Sequence, residues 1–230
     1  MILVTGDTHR FTDFKKLKSP TLSHLTKEDY LIIVGDCGVL FFPNTDKEAI
    51  EEYNALPFTV LFVDGNHENF DALYAYPVEM WNGGKIHRLA SHVIHLMRGQ
   101  VFEIEGKTFF TFGGGLSIDK AYREPHVSWW PQELPTEEEI QEGLSNLAKH
   151  KNKVDFVLTH DCPSSLLSVV GLYSFKAQGG FLKFAKSNEA LERIYAVLDF
   201  THWYFGHYHI DQFFTEKFTC LYQDVIQILP

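Results

Sequence analysis

The chain is short of cysteine, of basic charge and of long apolar runs, and each shortage removes a class of protein. Only Cys37, Cys162 and Cys220 occur in 230 residues. An odd, low count builds no disulfide framework and fits a reducing compartment. Lys and Arg number 20 against 30 Asp and Glu, a net charge of −10. Sequence-independent nucleic-acid binding needs a cationic surface against phosphates, so it is not expected. No apolar run approaches a membrane span. Ile2-Leu3-Val4 is too short for a signal-peptide core, and Asp7 follows at once. A cytoplasmic protein without membrane association is the expectation. No repeat, low-complexity tract or linker marks a boundary, so residues 1–230 are expected to form a single domain.

What remains is ordinary globular material. Hydrophobic residues make up 45% and charged residues 22%, so a core can form without staples. Folding at this size buries roughly 70% of the unfolded surface. Aromatics reach 15%, read mainly as core and pocket wall.

Short β-rich runs end in glycine turns. Ile2-Leu3-Val4 is a strand ended by Gly6, and Tyr30–Val34 a second ended by Gly35. Thr45 and Glu48 read as a capping box, followed by a helix with Ala49, Ile50, Tyr53 and Leu56 on one face. Phe58–Val63 is a third strand, turning at Asp64-Gly65-Asn66. This strand, helix, strand rhythm predicts a parallel sheet buried on both faces. Ligands bind at the C-terminal strand ends of such sheets, where these polar residues fall.

Further on, Val101–Ile104 and Lys107–Phe112 flank Glu105-Gly106 as a hairpin. Residues 113–135 form a long irregular segment containing Arg123, His126, Trp129 and Trp130; a connection of that length is more often functional than not. Thr136 and Glu139 make a second capping box, with Ile140, Leu144, Leu147 and Ala148 as the apolar stripe. Val154–Leu158 is a strand leading to His160, and His202–Phe205 another leading to Gly206. Between them lies a mixed stretch from Asp161 to Lys186, with Gly171, Gly179 and Gly180. Ser187 is placed to cap a helix carrying Ala190, Leu191, Ile194, Val197 and Leu198. Gln212 to Leu229 reads as two or three antiparallel strands.

Five stretches carry the chemistry: Asp7-Thr8-His9, Gly35-Asp36, Gly65-Asn66-His67-Glu68, Thr159-His160 and Gly206-His207-Tyr208-His209. In an extended segment positions i and i+2 point the same way, so Asp7 with His9, and His207 with His209, are each expected to reach one ion. Carboxylate, amide and imidazole together suit manganese, iron or zinc rather than a soft thiolate site. Singly, each of these residues is a common turn or cap former. Jointly they supply enough ligands for two divalent ions.

In this order the elements resemble the calcineurin-like metallophosphoesterases, whose pattern is D-x-H, G-D, G-N-H-[ED], H and G-H-x-H. The resemblance runs from Asp7 to His209, and the compact chain looks like bacterial or phage members. It implies an α/β fold of two mixed β-sheets packed as a sandwich and flanked by helices, a four-layer αββα arrangement. It implies that Asp7, His9 and His209 hold one metal, that Asn66, His160 and His207 hold the other, and that Asp36 bridges both. It further implies that His67 is not a ligand but sits over the phosphate as the catalytic histidine. The cofactors implied are two divalent ions, manganese first, with iron or zinc as alternatives. The reaction implied is hydrolysis of a phosphate-ester substrate, with a hydroxide bridging the metals attacking phosphorus in line.

Two departures narrow this reading. Phosphoprotein phosphatases extend the second element to G-D-x-x-D-R-G, whereas Val39 and Leu40 stand here in place of the Asp and Arg. That favours a phosphodiesterase or small-molecule phosphoesterase over a Ser/Thr phosphatase. A non-catalytic scaffold of the same fold is disfavoured because no ligand is lost. Arg10 follows His9 where glycine is usual, and it is the leading candidate phosphate contact, ahead of Arg98 and Arg123. The aromatic residues from Tyr122 to Trp130 suit a nucleobase or another flat group. Nothing in the sequence identifies a protein partner.

Overall fold

The fold was read from a computed structural model, which describes residues 1–10, 12–173 and 184–229. Two mixed sheets pack face to face. The strands of the first half are β1 (Ile2–Thr5), β2 (Tyr30–Val34), β3 (Thr59–Val63), β4 (Val78–Trp81), β5 (Gly84–Ala90) and β6 (Val93–Leu96). They are followed by β7 (Gln100–Ile104), β8 (Lys107–Phe112), β9 (Lys153–Thr159), β10 (Asp199–Phe205), β11 (Gln212–Thr215), β12 (Phe218–Cys220) and β13 (Val225–Leu229). The helices are α1 (Asp46–Asn54), α2 (Phe70–Leu73), α3 (Glu137–Lys149), α4 (Leu167–Val170) and α5 (Lys186–Tyr195). One sheet runs β13-β1-β2-β3-β6-β5-β4 and the other β11-β12-β10-β9-β8-β7.

Alternation within each strand makes the layers. In β2, Ile32 and Val34 face the second sheet, meeting Phe102, Phe109, Phe156 and Leu158. Leu31 and Ile33 face the other way, against Ala49 and Tyr53 of α1 and the turn residues Phe14 and Leu17. The second sheet repeats this: Phe110, Phe112, Val157 and Trp203 turn outward onto Ile140 and Leu147 of α3 and Leu191 and Ile194 of α5. The result is the expected four-layer αββα sandwich.

The parallel core expected for β1, β2 and β3 is present, with Leu3 opposite Leu31 and Ile33 opposite Phe62. The Glu105-Gly106 hairpin is present too, both residues having positive φ (51° and 69°), as a two-residue primed turn requires. The Thr136–Glu139 capping box is formed in both directions.

Three local expectations are corrected, and one hairpin is added. Thr45 caps nothing: its Oγ1 donates to Phe42 O, while Asp46 accepts from Phe41 N. Ser187 lies inside α5, where Oγ donates to the buried Asp161, and Val197 and Leu198 lie beyond that helix. The C-terminal strands divide between the sheets: β12 pairs parallel with β10, and β13 crosses to pair antiparallel with β1. A hairpin passed over in the sequence joins β4 to β5 through Asn82-Gly83, both at positive φ. Asn-Gly is the strongest short hairpin signal, so this one was available to be read. Gly179 and Gly180 lie outside the described residues.

All five motif turns leave the C-terminal ends of strands: β1, β2 and β3 from one sheet, β9 and β10 from the other. Packing the sheets face to face brings these ends to one rim.

Candidate metal centre

At that rim the polar side chains converge. Asp7, Asp36 and His160 are buried, and His9, His67, His207 and His209 are half-buried around them. His209 Nε2 is 3.1 Å from Asp7 Oδ2, and His9 Nε2 is 3.9 Å from the same oxygen and 3.3 Å from Asp36 Oδ2. On the other side His160 Nε2 lies 3.4 Å from Asp36 Oδ1, 3.1 Å from Asn66 Oδ1 and 3.1 Å from His207 Nδ1. Asp36 thus faces both clusters.

The extended geometry assumed for the two spaced pairs is corrected here, although Asp7 and His9 do meet in one cluster with His209. These residues are not extended: His9, His207 and His209 have φ of 37°, 67° and 53°. The left-handed turns splay His207 and His209, sending His209 to Asp7 and His207 to His160. Asp36 is also left-handed, with φ 48°. Such backbone costs on the order of 1–3 kcal/mol per residue and persists where surrounding packing imposes it. Two glycines make the crowding feasible. A Cβ on Gly35, itself at φ +91°, would lie 2.1 Å from His160 Nδ1, and one on Gly65 would lie 2.1 Å from Asp36 Oδ1.

The donor set fits divalent cations. His160 Nδ1 donates to Val34 O at 2.9 Å, which leaves its Nε2 with a lone pair in the neutral ring. Asn66 Nδ2 donates to Ser117 Oγ at 3.2 Å, which turns Oδ1 toward that same Nε2. In that neutral form Nε2 and Asn66 Oδ1, 3.1 Å apart, face each other as two acceptors, a pair that either a proton or a cation would satisfy. Asp7 Oδ2 is buried without a hydrogen bond, although His209 stands beside it. A buried carboxylate oxygen left this way is what a cation satisfies.

The electrostatics agree. Burial works to raise Asp7 and Asp36, but facing imidazoles override it, His209 and His160 at Asp7 and His160 and His67 at Asp36, and both carboxyls stay well below their usual range. Burial opposes charge on His160 and His9, yet the carboxylates, Asp36 foremost, push them up to about 10 and about 9. The pocket calls for positive charge, and metal ions would compete with protons for it.

Several supporting residues stand behind the ligands, and of these only Glu68 belongs to a motif singled out in the sequence. Asp13 Oδ2 is 3.0 Å from His9 Nδ1, fixing the ring with Nε2 toward Asp36; a carboxylate behind a histidine ligand is a common orienting device. Glu68 accepts from Cys37 N and Gly65 N, joining the two loops that carry Asp36 and Asn66. Lys16 Nζ donates to Gly6 O, Asp7 O and Tyr222 O beneath the first turn. Tyr222 stacks on His209, ring centroids 4.6 Å apart. Spacing i to i+4 was the one signal for Asp13, whereas Lys16 and Tyr222 meet the site from segments the sequence does not link to it.

The candidate phosphate contacts separate. Arg10 is buried and turned onto α1, with Nη1 donating to Thr45 O and its guanidinium near Glu48 and Glu52. It still walls a cavity of about 310 Å³ shared with His9, Thr12, Gly38, Phe41, Phe42 and His67. Arg98 is buried away from this cavity, paired with Asp64 and Glu139. Arg123 reaches His67, its Nη1 3.0 Å from Nδ1. Of the aromatic loop, Trp130 is buried and donates to Asp71, whereas Tyr122 is exposed; Phe41 and Phe42 supply the cavity's aromatic wall instead.

Residues 1–211 match the calcineurin-like phosphoesterase family, and the protein belongs to that family. It is therefore a metal-dependent phosphoesterase, a hydrolase of phosphate esters that works with divalent metal ions. No curated protein is matched in sequence. Among solved structures, the chain is similar to a phosphopantetheinyl hydrolase from Mycobacterium tuberculosis, at 16% identity and a TM-score of 0.41, over 96% of this chain and 89% of that one. Among the described residues no helix is long and apolar enough to cross a membrane.

Proposed function

We propose that the chain is a dinuclear phosphodiesterase or small-molecule phosphoesterase, with manganese as the first choice of metal and iron or zinc as alternatives. The observation that carries this reading is the division of the ligands around Asp36. Asp7, His9 and His209 gather on one side, Asn66, His160 and His207 on the other, and Asp36 lies within 3.4 Å of a ring nitrogen from each. Two divalent ions held there would supply Lewis acidity and an activated water for in-line attack on phosphorus.

The chain's own residues do the rest. His67 borders the cavity, and one of its ring nitrogens lies within 4.8 Å of ligand atoms of His9 and Asp36. It is placed to hydrogen-bond a phosphoryl oxygen or the leaving oxygen. Phe41 and Phe42 offer an apolar wall to the leaving group. Arg10 would need to release Thr45 O or its α1 carboxylates to touch a phosphate. Val39 and Leu40 are buried in the outer core rather than turned to the site, which supports a substrate other than phosphoprotein. A cytoplasmic location is supported by three buried, unpaired cysteines.

The test is the initial rate with Mn²⁺ on an aryl phosphate diester and the matching monoester, with Asp36→Asn as the blank. Diester preference is expected, with activity lost and both metals weakened in the variant. Near-normal turnover by Asp36→Asn would overturn the reading. Failure of the purified protein to bind or respond to Mn²⁺ would favour a scaffold role.

A further inference from the structure

His67 meets a guanidinium from a segment more than fifty residues away. Arg123 Nη1 lies 3.0 Å from His67 Nδ1. A guanidinium has only N–H donors, so Nδ1 must accept, and the ring's proton in this pairing sits on Nε2. The guanidinium is itself aimed. Asp119 Oδ2 accepts Nε at 2.8 Å and pairs with Nη2 at 2.7 Å, and Ser128 O accepts Nη1 at 3.1 Å. The segment carrying it is tied to the rest of the rim: Ser117 meets Asn66, and Asp71 takes Trp130 Nε1 and His126 Nδ1, each at 2.9 Å.

Position 39, where the G-D-x-x-D-R-G pattern carries an aspartate, is a buried valine in this chain. A carboxylate would draw the ring proton to Nδ1. Arg123 does the reverse and supplies a proton of its own there.

We propose that Arg123 is a positioning residue for His67, donating to Nδ1 so that the ring is held in one orientation at the cavity it shares with His9, with its N–H on Nε2. The proposal rests on the phosphoesterase reading for its consequence in turnover, and on geometry alone for the pairing. A one-sided tether explains less: His126 already ties the same loop to Asp71 without touching His67.

The experiment uses the full chain, ¹⁵N-labelled at histidine and loaded with diamagnetic Zn²⁺. Two-bond ¹H–¹⁵N correlation reads the tautomer of each ring, and the His67 signal is the one missing from His67→Gln. Wild type should show the proton on Nε2. Arg123→Met should lose that fixed pattern, and its kcat on the aryl diester with Mn²⁺ should fall on the order of ten- to a hundredfold. KM should stay within about twofold, because ground-state binding is not what is removed. His126→Gln should keep both the spectrum and kcat. The proposal is overturned by a proton on Nδ1 in wild type, by an Arg123→Met protein with unchanged tautomer and kcat, or by a His126→Gln protein that reproduces the whole Arg123→Met loss. A wild type inactive on every ester would refute the phosphoesterase reading, while the spectrum alone would still decide whether Arg123 sets the ring.

Discussion

Glu68 accepts the backbone N–H of Cys37 at 2.7 Å, and with its other oxygen that of Gly65 at 2.6 Å. One buried carboxylate thereby joins the loop after β2 to the loop after β3, the pair that carry Asp36 and Asn66. Burial, and next the Asp36 charge, push it up to about 8. Glu68→Gln can accept only one of the two N–H groups. The other is left facing an amide N–H, a cost of about 1–3 kcal/mol. A lower melting temperature and weaker Mn²⁺ binding are expected together; a variant that melts lower yet binds Mn²⁺ normally would mean the tether does not set the site.

Asp13 stands behind His9. Removing its carboxylate in Asp13→Ala frees the ring to turn and lowers its basicity. Losses of about 10- to 100-fold in metal affinity follow when such partners are removed. Calorimetric titration of the chelated protein with Mn²⁺ measures this directly, and an unchanged isotherm would show that His9 is oriented by its own turn.

Arg98 and Asp64 form a buried ion pair at 2.5 Å, with His95 Nε2 3.1 Å from the second carboxylate oxygen. Arg98→Met leaves Asp64 buried with the guanidinium gone and only the His95 imidazole still beside its other oxygen. A destabilisation of about 3–5 kcal/mol is expected by urea unfolding. Because Arg98 lies outside the cavity, KM for a phosphate ester should stay within about twofold. A large rise in KM without loss of stability would return Arg98 to the substrate.

His87 and His95 stack with ring centroids 5.3 Å apart and face Nδ1 to Nδ1 at 3.0 Å. Burial, then repulsion from His95, hold His87 down to about 4 against an ordinary 6.5, despite the pull of Asp64. The unfolded chain therefore takes up a proton below pH 6.5 that the fold resists until about 4. The stability this contributes is full above that window and is lost as pH falls through it. The melting temperature should drop more steeply over this range in wild type than in His87→Phe; parallel curves would assign the acid sensitivity to other groups.

The parallel core of β1, β2 and β3 was legible because its strands are short, apolar and ended by glycine, whereas the four-layer αββα arrangement followed only from the family resemblance. Capping was legible where a helix start stands free, as at Thr136 and Glu139. It was misread at Thr45 and Ser187, where Phe42 O and Asp161 outcompete the helix for the hydroxyl. Local propensity cannot foresee a partner supplied by another segment.

The identities and order of the metal-site residues, and the glycines that let them crowd, are properties of the sequence alone. Chain order also determines that each follows a strand, because turn formers interrupt apolar runs. Which residue meets which was decided only in three dimensions. Spacing placed His207 beside His209, whereas the left-handed turns part them, because φ there is imposed by the packing of two sheets. Contacts such as His209 with Asp7, or Arg123 with His67, span separations that no local periodicity encodes. They exist because strands far apart in sequence end at the same rim.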